Sequence, residues 1–439
     1  MLSRNPAFYT WGIIRLKGGQ RTLKLLRHSC SSDHTSVADN APPAKPFKRA
    51  TRTQITKAST GVRSPCQGIL SHFDHQYSAE LGELWKSTRA VLLDPCSWQY
   101  GVLLNRFTAD THLKQILLSH GFSTLLRHTE GFIQSSSESQ AEHIHQSDCG
   151  LDDPGNQPVI NSPVPSLSST LQCYVHPHIV RFPPQTHRPG ELKQYYLLNA
   201  ASLLPVLALK VQDGEKVLDL CSAPGGKSIA IMQSATPDVL CCNEPDPHRR
   251  DWLAKTLESF FPQQLNTRVI VSAHDGRAFG QIEEGTYDKV LVDAPCSNDR
   301  SWLFSTGSDQ VEKRLSERAG LPALQAQLLR SALTAVRPGG TVVYSTCTLS
   351  SLENFAVVET VLKDCPDAEV EDLWEEIGFL LSDYFTFLPV HQGQVPHLMS
   401  SHPQGGAVSL NAHRLGLLVV PQPSRTWGPM FLSRIRRRS

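Results

Sequence analysis

The stretch that decides the fold reads VLDLCSAPGGKS and occupies residues 217–228. Its apolar start predicts a buried strand, its Pro-Gly-Gly sequence a tight turn, and the residues beyond it the start of a helix. Two better-known loops are excluded, because Cys221 stands where a P-loop needs Gly and the dinucleotide fingerprint G-x-G-x-x-G is absent. Glycines in such a turn let the backbone approach a ligand, and a helix N-terminus favours a carboxylate. We therefore expect a ligand-binding loop formed by Cys221, Ser222, Ala223, Pro224, Gly225, Gly226 and Lys227.

The region around this loop alternates between short apolar runs and longer stretches of helical periodicity. The runs cover residues 216–220, 239–242, 269–272, 290–293 and 341–345, and the helical patterns cover 223–233, 248–260, 321–336 and 351–362. Such alternation predicts an α/β fold with a mostly parallel, doubly wound sheet. Ligands of these sheets bind in the crevice beyond the carboxyl ends of the strands. Functional side chains should therefore directly follow the runs.

Acidic residues follow the second and third runs. Glu244 ends the second run, where a carboxylate can accept hydrogen bonds from ribose hydroxyls. Asp275 follows the third run, where an acid can meet an adenine amino group. Taken singly, either acid is more often a helix cap or a turn residue. Because the two acids occupy equivalent positions, at the ends of two consecutive strands, a nucleoside-binding site is favoured.

Two cysteines follow the fourth and fifth runs. Cys296 comes after Asp293 in the segment DAPCS, and Cys347 lies in the segment STCTL. A lone cysteine is usually a small buried hydrophobe, but neighbouring parallel strands lie only ~4.8 Å apart, so both thiols should open into one crevice. Methylation of carbon 5 of a pyrimidine uses a thiolate that adds at carbon 6 and a second group that assists release. Asp293 is placed to hydrogen-bond the polar edge of the base.

The segments CSAPGGK, NE, HDG, DAPCS and STCTL resemble, in this order, the motifs of the Sun-type (NSUN/Fmu) RNA cytosine-carbon-5 methyltransferases. The resemblance covers about residues 190–354 and implies a Rossmann-like class I methyltransferase sheet that binds S-adenosylmethionine. In that family the cysteine of the TC motif is the nucleophile and that of the PC motif assists release, which implies these roles for Cys347 and Cys296. DNA cytosine methyltransferases use the Pro-Cys thiol and lack the TC motif, so the resemblance favours RNA. The implied cofactor contacts are Cys221, Ser222, Ala223, Pro224, Gly225, Gly226, Lys227, Glu244, Asp275 and Asp293.

Residues 296–304 and 193–202 resemble more narrowly the mitochondrial members that methylate the wobble cytosine of methionine tRNA. The resemblance implies a mitochondrial tRNA partner, bound through its anticodon stem-loop, and no obligate protein partner. A single-stranded anticodon cytosine can be turned into a pocket at low unstacking cost. Two alternatives stay open: a mitochondrial ribosomal-RNA cytosine methyltransferase, and a ribosome-assembly factor with a vestigial site.

Composition and the N-terminal segment indicate the compartment. The 439 residues include 42 Lys and Arg against 41 Asp and Glu, so the net charge of the chain does not indicate a nucleic-acid partner. Eleven cysteines without CxxC spacing predict no metal site, and no apolar run is long enough to span a membrane. The first acid is Asp33, after six Lys or Arg residues, which predicts a cleaved presequence over residues 1–40 and a location in the mitochondrial matrix. A disordered basic tail is the alternative.

The remaining segments predict the following organisation. A basic linker covers 41–71, a helical RNA-binding module 72–133, a disordered Ser-rich loop 134–170, and the methyltransferase domain 171–439 with an insertion at 391–413. The helical module is predicted from apolar residues at helical spacing, among them Leu81, Leu92, Leu103, Leu104 and Phe107. Basic patches at residues 45–63, 248–250 and 434–438 could clamp RNA phosphates, although Arg249 and Arg250 fit a solvated helix face equally well.

Overall fold

A computed structural model of this protein describes residues 64–108, 111–126, 170–186, 188, 190–305, 310–391 and 414–439. Nine of the described strands form the main sheet. The described helices are α1 Gln67–Leu81, α2 Leu84–Leu92, α3 Thr111–Ser119, α4 Leu204–Leu209, α5 Gly226–Ser234, α6 Pro247–Glu258, α7 Phe279–Ile282, α8 Asp299–Ser305, α9 Val311–Ala335 and α10 Phe355–Asp364. The described strands are β1 Gly101–Leu104, β2 Ser123–Thr124, β3 Cys173–Val175, β4 Tyr195–Leu198, β5 Lys216–Asp219, β6 Val239–Asn243, β7 Val269–Ser272, β8 Tyr287–Asp293, β9 Val336–Thr346, β10 Ala368–Glu371, β11 Phe387–His391, β12 Arg414–Val419 and β13 Met430–Arg437.

The main sheet has the order β11-β12-β13-β9-β8-β5-β6-β7, and β10 pairs with β13 outside this path. The five strands from β9 to β7 are parallel, whereas the pairs that include β10, β11, β12 and β13 are antiparallel. From β5 the chain first builds outward through β6 and β7 and then returns to β8 on the other side of β5. This reversal opens a crevice at the carboxyl ends of β5 and β8. The prediction of a mostly parallel, doubly wound α/β sheet is confirmed.

The central strands β5, β6, β8 and β9 are largely buried on both faces, which explains their apolar sequences. Val217, Leu240, Leu291 and Val343 point into one core, which also contains the apolar faces of α4, α5 and α6. Their chain neighbours Leu218, Cys241, Val290, Val292, Val342 and Tyr344 point into a second core, packed by α1, α9 and α10. Because successive side chains of a strand point to opposite faces of the sheet, each strand contributes to both cores, and helices cover each core.

The N-terminal module combines helices with a small antiparallel sheet of order β2-β3-β1-β4. The interpretation of Leu103 and Leu104 as helical was wrong, because both lie in β1, which pairs with β3 and β4. This apolar run is short enough to fit a helix or a strand, and pairing with strands that are distant in sequence makes it a strand. Strands β3 and β4 come from the segment that the sequence assigned to the methyltransferase domain. The predicted linker also ends earlier than residue 71, since α1 begins at Gln67.

Several predicted segments lie wholly or largely outside the described residues. They are the presequence at 1–40, the linker up to residue 63, the Ser-rich loop except Thr170, and the insertion at 391–413 except His391. In the part of the chain that the structure describes, no helix has the length and apolar character needed to cross a membrane.

Helices α7 and α9 approach each other closely at Gly280, and a substitution there tests how tightly the two helices pack. A Cβ on Gly280 would lie 2.4 Å from the backbone oxygen of Ser331, whereas a Cβ on the exposed Gly320 in α9 would meet nothing within 4 Å. We predict that Gly280→Ala lowers the free energy of unfolding by about 1–3 kcal/mol through overpacking. Gly320→Ala, the matched control, should raise it by up to ~1 kcal/mol through helix propensity. Urea unfolding measures both, and equal midpoints for the two variants would contradict this packing.

Candidate active site

The side chain of Asn243 ties together the strand ends around the crevice. Its Nδ2 donates hydrogen bonds to the backbone oxygens of Leu220, at 3.2 Å, and His274, at 2.9 Å. Its Oδ1 accepts from the Ser272 hydroxyl at 2.7 Å and from the backbone N–H of His274 at 3.0 Å. Because Asn243 is fully buried, water does not compete for these bonds. One amide therefore fixes the ends of β5, β6 and β7 relative to one another.

A side chain on either glycine of the turn between β5 and α5 would crowd its neighbours. Gly225 has a φ of +105°, and a Cβ there would lie 3.0 Å from Cδ1 of Leu253. A Cβ on Gly226 would lie 3.1 Å from Cε1 of Tyr196. Helix α5 begins at Gly226, so the N–H groups of its first turn lack helical partners at this point. The turn thus offers backbone donors to a ligand carboxylate.

Asp219 ends β5 and carries an unsatisfied acceptor. Its Oδ2 accepts a hydrogen bond from the Ser228 hydroxyl at 2.6 Å, and that hydroxyl lies 2.5 Å from Oγ of Ser222. Its Oδ1 is buried without a hydrogen-bond partner among the described residues. Burial raises the pKa of Asp219 to about 6. A buried oxygen without a partner is costly unless a ligand donor reaches it, so the residues around the glycine turn fit S-adenosylmethionine.

The other residues of the predicted loop line the same turn. The backbone N–H of Ser222 donates to the backbone oxygen of Asn243 at 2.9 Å, and the backbone oxygen of Ala223 accepts from Arg249 at 3.0 Å. Burial, followed by the charge of Asp219, raises the pKa of Cys221 well above the ordinary thiol value. Cys221 is therefore a neutral thiol at physiological pH. Pro224 completes the turn.

The two predicted acids differ in their surroundings. Glu244 is buried, accepts the backbone N–H of Asp246 at 3.0 Å, and has Arg249 3.3 Å away. Asp275 is half exposed and caps a short 3₁₀ turn by accepting the backbone N–H of Arg277 at 2.9 Å. Hydrogen bonds from the Arg277 side chain hold the pKa of Asp275 below its ordinary value. Asp275 thus has a structural role as the cap of this 3₁₀ turn.

The two cysteines meet where β8 and β9 end. These strands are parallel, with Asp293 opposite Ser345. The Sγ atoms of Cys296 and Cys347 lie 3.0 Å apart, and the backbone N–H of Cys347 donates to the Cys296 sulfur at 3.2 Å. The hydrogen bond with Cys347, followed by burial, raises the pKa of Cys296 well above the ordinary thiol value. Cys296 therefore keeps its proton at physiological pH.

A lysine–aspartate pair joins the glycine turn to the thiols. Lys227 Nζ lies 2.8 Å from Oδ2 of Asp293, and the Ser345 hydroxyl donates to Oδ1 at 3.0 Å. Burial alone would lower the pKa of Lys227, but the charge of Asp293 and the hydrogen bond with it outweigh burial, and the pKa is raised. Lys227 is thus a buried cation beside an anionic carboxylate. The pair therefore joins the glycine turn to the end of β8, three residues before Cys296.

Several residues around the thiols were missed by the sequence analysis. Tyr196 packs beside Gly226, and Asp299 and Glu353 are buried behind the two cysteines. Asp299 and Glu353 lie close to the cysteine motifs, and both belong to segments that resemble the family, residues 296–304 and the pair Glu353-Asn354. Tyr77 in α1 also reaches this region, donating to Asp299 at 2.9 Å, and no local pattern indicates it.

Two predicted basic patches prove to be engaged in internal contacts. Arg249 donates to Ala223, and Arg250 donates to the backbone oxygen of Glu244 at 3.2 Å. In the C-terminal patch Arg434 is buried beside Glu371 and Glu376, and further ion pairs join Arg437 to Asp367 and Arg438 to Glu369. Arg434 is therefore out of reach of a phosphate, whereas Arg436 and Arg438 are exposed, and the phosphate clamp at residues 434–438 stays a prediction. The patch at 45–63 lies outside the described residues.

Comparison with known proteins identifies the family. A family model described as 16S rRNA methyltransferase RsmB/F matches residues 206–399. A zebrafish (Danio rerio) protein named tRNA (cytosine(34)-C(5))-methyltransferase, mitochondrial, is 50% identical over 372 residues, covering 85% of this chain and 88% of that protein. A mouse (Mus musculus) protein named 5-cytosine rRNA methyltransferase NSUN4 is 36% identical and covers 84% and 88% of the two chains.

A solved structure agrees in fold. The crystal structure of NSun6 from Pyrococcus horikoshii with SFG matches with a TM-score of 0.51 at 13% identity, covering 86% of this chain and 100% of that one. At this identity the likeness concerns the fold alone, whereas the relatives above share both sequence and length with this chain. The chain belongs to the RsmB/F, or Sun-type, family of S-adenosylmethionine-dependent RNA cytosine-carbon-5 methyltransferases.

Proposed function

We propose that this enzyme methylates carbon 5 of the wobble cytosine, position 34, of mitochondrial methionine tRNA in the mitochondrial matrix. The 3.0 Å contact between the sulfurs of Cys296 and Cys347 carries the proposal, because carbon-5 methylation needs one thiol to add and a second group to assist release. The names of relatives at 50% and 41% identity support position 34 of tRNA and the mitochondrion. The acid-free basic N-terminal segment supports import.

Cys347 acts as the nucleophile in this proposal. Its thiolate forms a bond to carbon 6 of the cytosine, and the electron pair of the C5=C6 double bond makes carbon 5 nucleophilic. After carbon 5 has gained the methyl group, it loses its proton to water. The electron pair of that C–H bond restores the double bond, the S–C6 bond breaks, and Cys347 leaves as a thiolate.

Cys296 assists release in this proposal. Because the pKa of Cys296 is raised by its hydrogen bond with Cys347 and by burial, it retains its proton and can donate it toward the neighbouring sulfur. Such a donor stabilises Cys347 as a thiolate both before attack and when it leaves.

Lys227 and Asp293 orient the base in this proposal. Asp293 is held through both oxygens, by Lys227 and by Ser345, and each oxygen has a second lone pair for the amino edge of cytosine. The fixed carboxylate therefore selects a base that presents hydrogen-bond donors at this edge.

The glycine turn and its neighbours hold the methyl donor. Bound S-adenosylmethionine supplies an electrophilic methyl group from its sulfonium. We assign its carboxylate to the N-terminus of α5, its ribose hydroxyls to Glu244, and its adenine amino group to Asp275. The N-terminal module, with α1 to α3, is proposed to bind the RNA, and we expect catalysis without a protein partner.

A second candidate is methylation of mitochondrial ribosomal RNA. The mouse NSUN4 relative, 36% identical over most of both chains, favours it. The substrate is the difference between the two candidates, since the same thiol chemistry serves both.

The first prediction concerns the nucleophile. We predict that Cys347→Ala lowers methyl transfer by at least about 1000-fold and abolishes covalent capture of RNA, because no thiolate is left to activate carbon 5. Capture is measured on denaturing gels with an RNA stem-loop that carries 5-fluorocytosine at the target position. Cys365→Ala, which removes a half-buried thiol at the end of α10, is the matched control and should keep wild-type activity.

The second prediction concerns release. We predict that Cys296→Ala accumulates a covalent protein–RNA adduct with ordinary cytosine RNA, because carbon 6 remains bonded to Cys347. Denaturing gels followed by mass spectrometry of the linked peptide identify the attached residue. An adduct in Cys347→Ala in place of Cys296→Ala would reverse the two roles.

The third prediction separates the candidate substrates. In cells that lack the protein, bisulfite sequencing of mitochondrial RNA should lose 5-methylcytosine at position 34 of methionine tRNA and retain it in ribosomal RNA. Purified protein with S-adenosylmethionine should restore the mark on an anticodon stem-loop transcript. Loss in ribosomal RNA alone would support the second candidate, and unchanged methylation would overturn both.

A further inference from the structure

A buried carboxylate connects the loops that carry the two thiols. Asp299 begins α8, shortly after Cys296, and is fully buried. Its Oδ2 accepts the backbone N–H of Leu349 at 2.7 Å, and its Oδ1 accepts the Thr348 hydroxyl at 2.9 Å. Thr348 and Leu349 directly follow Cys347. Asp299 therefore belongs to one cysteine loop and binds the other.

Glu353 makes the reciprocal connection. It lies on the loop that follows Cys347, and its carboxylate accepts the backbone N–H of Ser297 at 2.9 Å and the Ser297 hydroxyl at 2.7 Å. Ser297 directly follows Cys296. Each cysteine loop thus contributes a buried carboxylate that binds the residue or residues directly after the other cysteine. The separation of the two sulfurs depends on both connections.

The N-terminal module completes this arrangement through Tyr77. Its hydroxyl donates to Oδ1 of Asp299 at 2.9 Å and accepts from Arg318 at 2.8 Å. The Arg318 guanidinium also lies 3.4 Å from Glu353 and 4.9 Å from the centre of the Phe73 ring. The buried Arg318 guanidinium therefore contacts Glu353 directly and reaches Asp299 through the Tyr77 hydroxyl, which α1 supplies. Since an unpaired buried charge is costly, loss of one member should disturb the others.

We propose that Asp299 is a positioning residue that holds the Cys296 and Cys347 loops in register, and that Tyr77 makes helix α1 part of the catalytic centre. The proposal rests on the proposed function of the two cysteines, and extends it to residues that do not touch the base. It assigns the N-terminal module a role in positioning the thiols, in addition to any contact with RNA.

The first experiment removes one hydroxyl. Full-length Tyr77→Phe should lower kcat for methyl transfer about tenfold, equivalent to ~1.4 kcal/mol, while KM for S-adenosylmethionine stays unchanged. The control is Tyr195→Phe, which removes a buried hydroxyl of the same module that donates to Pro183 at 2.6 Å. It should keep the wild-type kcat. A wild-type kcat in Tyr77→Phe, or an equal loss in the two variants, would overturn the proposal.

The second experiment measures thiol geometry without RNA. Diamide oxidises two adjacent thiols to a disulfide and is itself reduced by the two hydrogens, and mass spectrometry after rapid acid quenching follows the Cys296–Cys347 bond. We expect Asp299→Asn to slow this bond about tenfold or more and to lower kcat by about 100-fold. The Asn amide has a single acceptor oxygen, so it can accept from the Leu349 N–H or from the Tyr77 and Thr348 hydroxyls but not from both sides. If this variant fails to fold by circular dichroism, Tyr77→Phe takes its place in the assay.

The outcomes separate the two proposals. An unchanged rate of disulfide formation in the folded variant overturns the positioning role. A slowed rate combined with full activity of Cys347→Ala supports the positioning role and overturns the assignment of the nucleophile.

Discussion

The parallel pairing of β8 with β9 is the constraint on which the active site depends. Asp293 lies opposite Ser345, so the residues beyond them leave the sheet side by side and bring two sulfurs to 3.0 Å. A shift of one residue would move every side chain to the opposite face and separate the thiols. The register is held by the strand interiors, where Leu291 and Val343 fill one core and Val290 and Val342 the other. The position of the chemistry is therefore a consequence of how the sheet buries its apolar residues.

Much of this site could be predicted because its information is local. Each strand of the parallel half contains a short apolar run, and side chains of interest come directly after the strand, as with Glu244 after β6 and Cys347 after β9. The rule that ligands bind at the carboxyl ends of parallel strands then brings such residues together without knowledge of any contact. The family motifs added the expected division of roles between the two cysteines, which the positions of the residues alone do not supply.

The parts that escaped prediction depend on contacts between distant segments. Tyr77 and Asp299 are 222 residues apart in the chain, and nothing near either residue indicates the other. The apolar run at Leu103 and Leu104 fits a helix or a strand, and only its pairing with β3 and β4 decides between them. Polar residues in a core carry a further ambiguity, because the sequence around Glu353 matches the family but does not reveal that its side chain is buried. Burial beside Arg318 distinguishes it, and burial is a property of the whole fold.

The ion pairs of the C-terminal arginines have a consequence for how RNA is bound. Arg434, Arg437 and Arg438 are each paired with a carboxylate from residues 367–376, so each would have to exchange that carboxylate for a phosphate in order to contact a polyanion. Each cation that neutralises a phosphate normally displaces condensed counterions and steepens the dependence of affinity on ionic strength. An arginine that gives up a carboxylate leaves that carboxylate to take up a cation from solution, which offsets the release. These paired arginines should therefore add little to the salt dependence of complex formation.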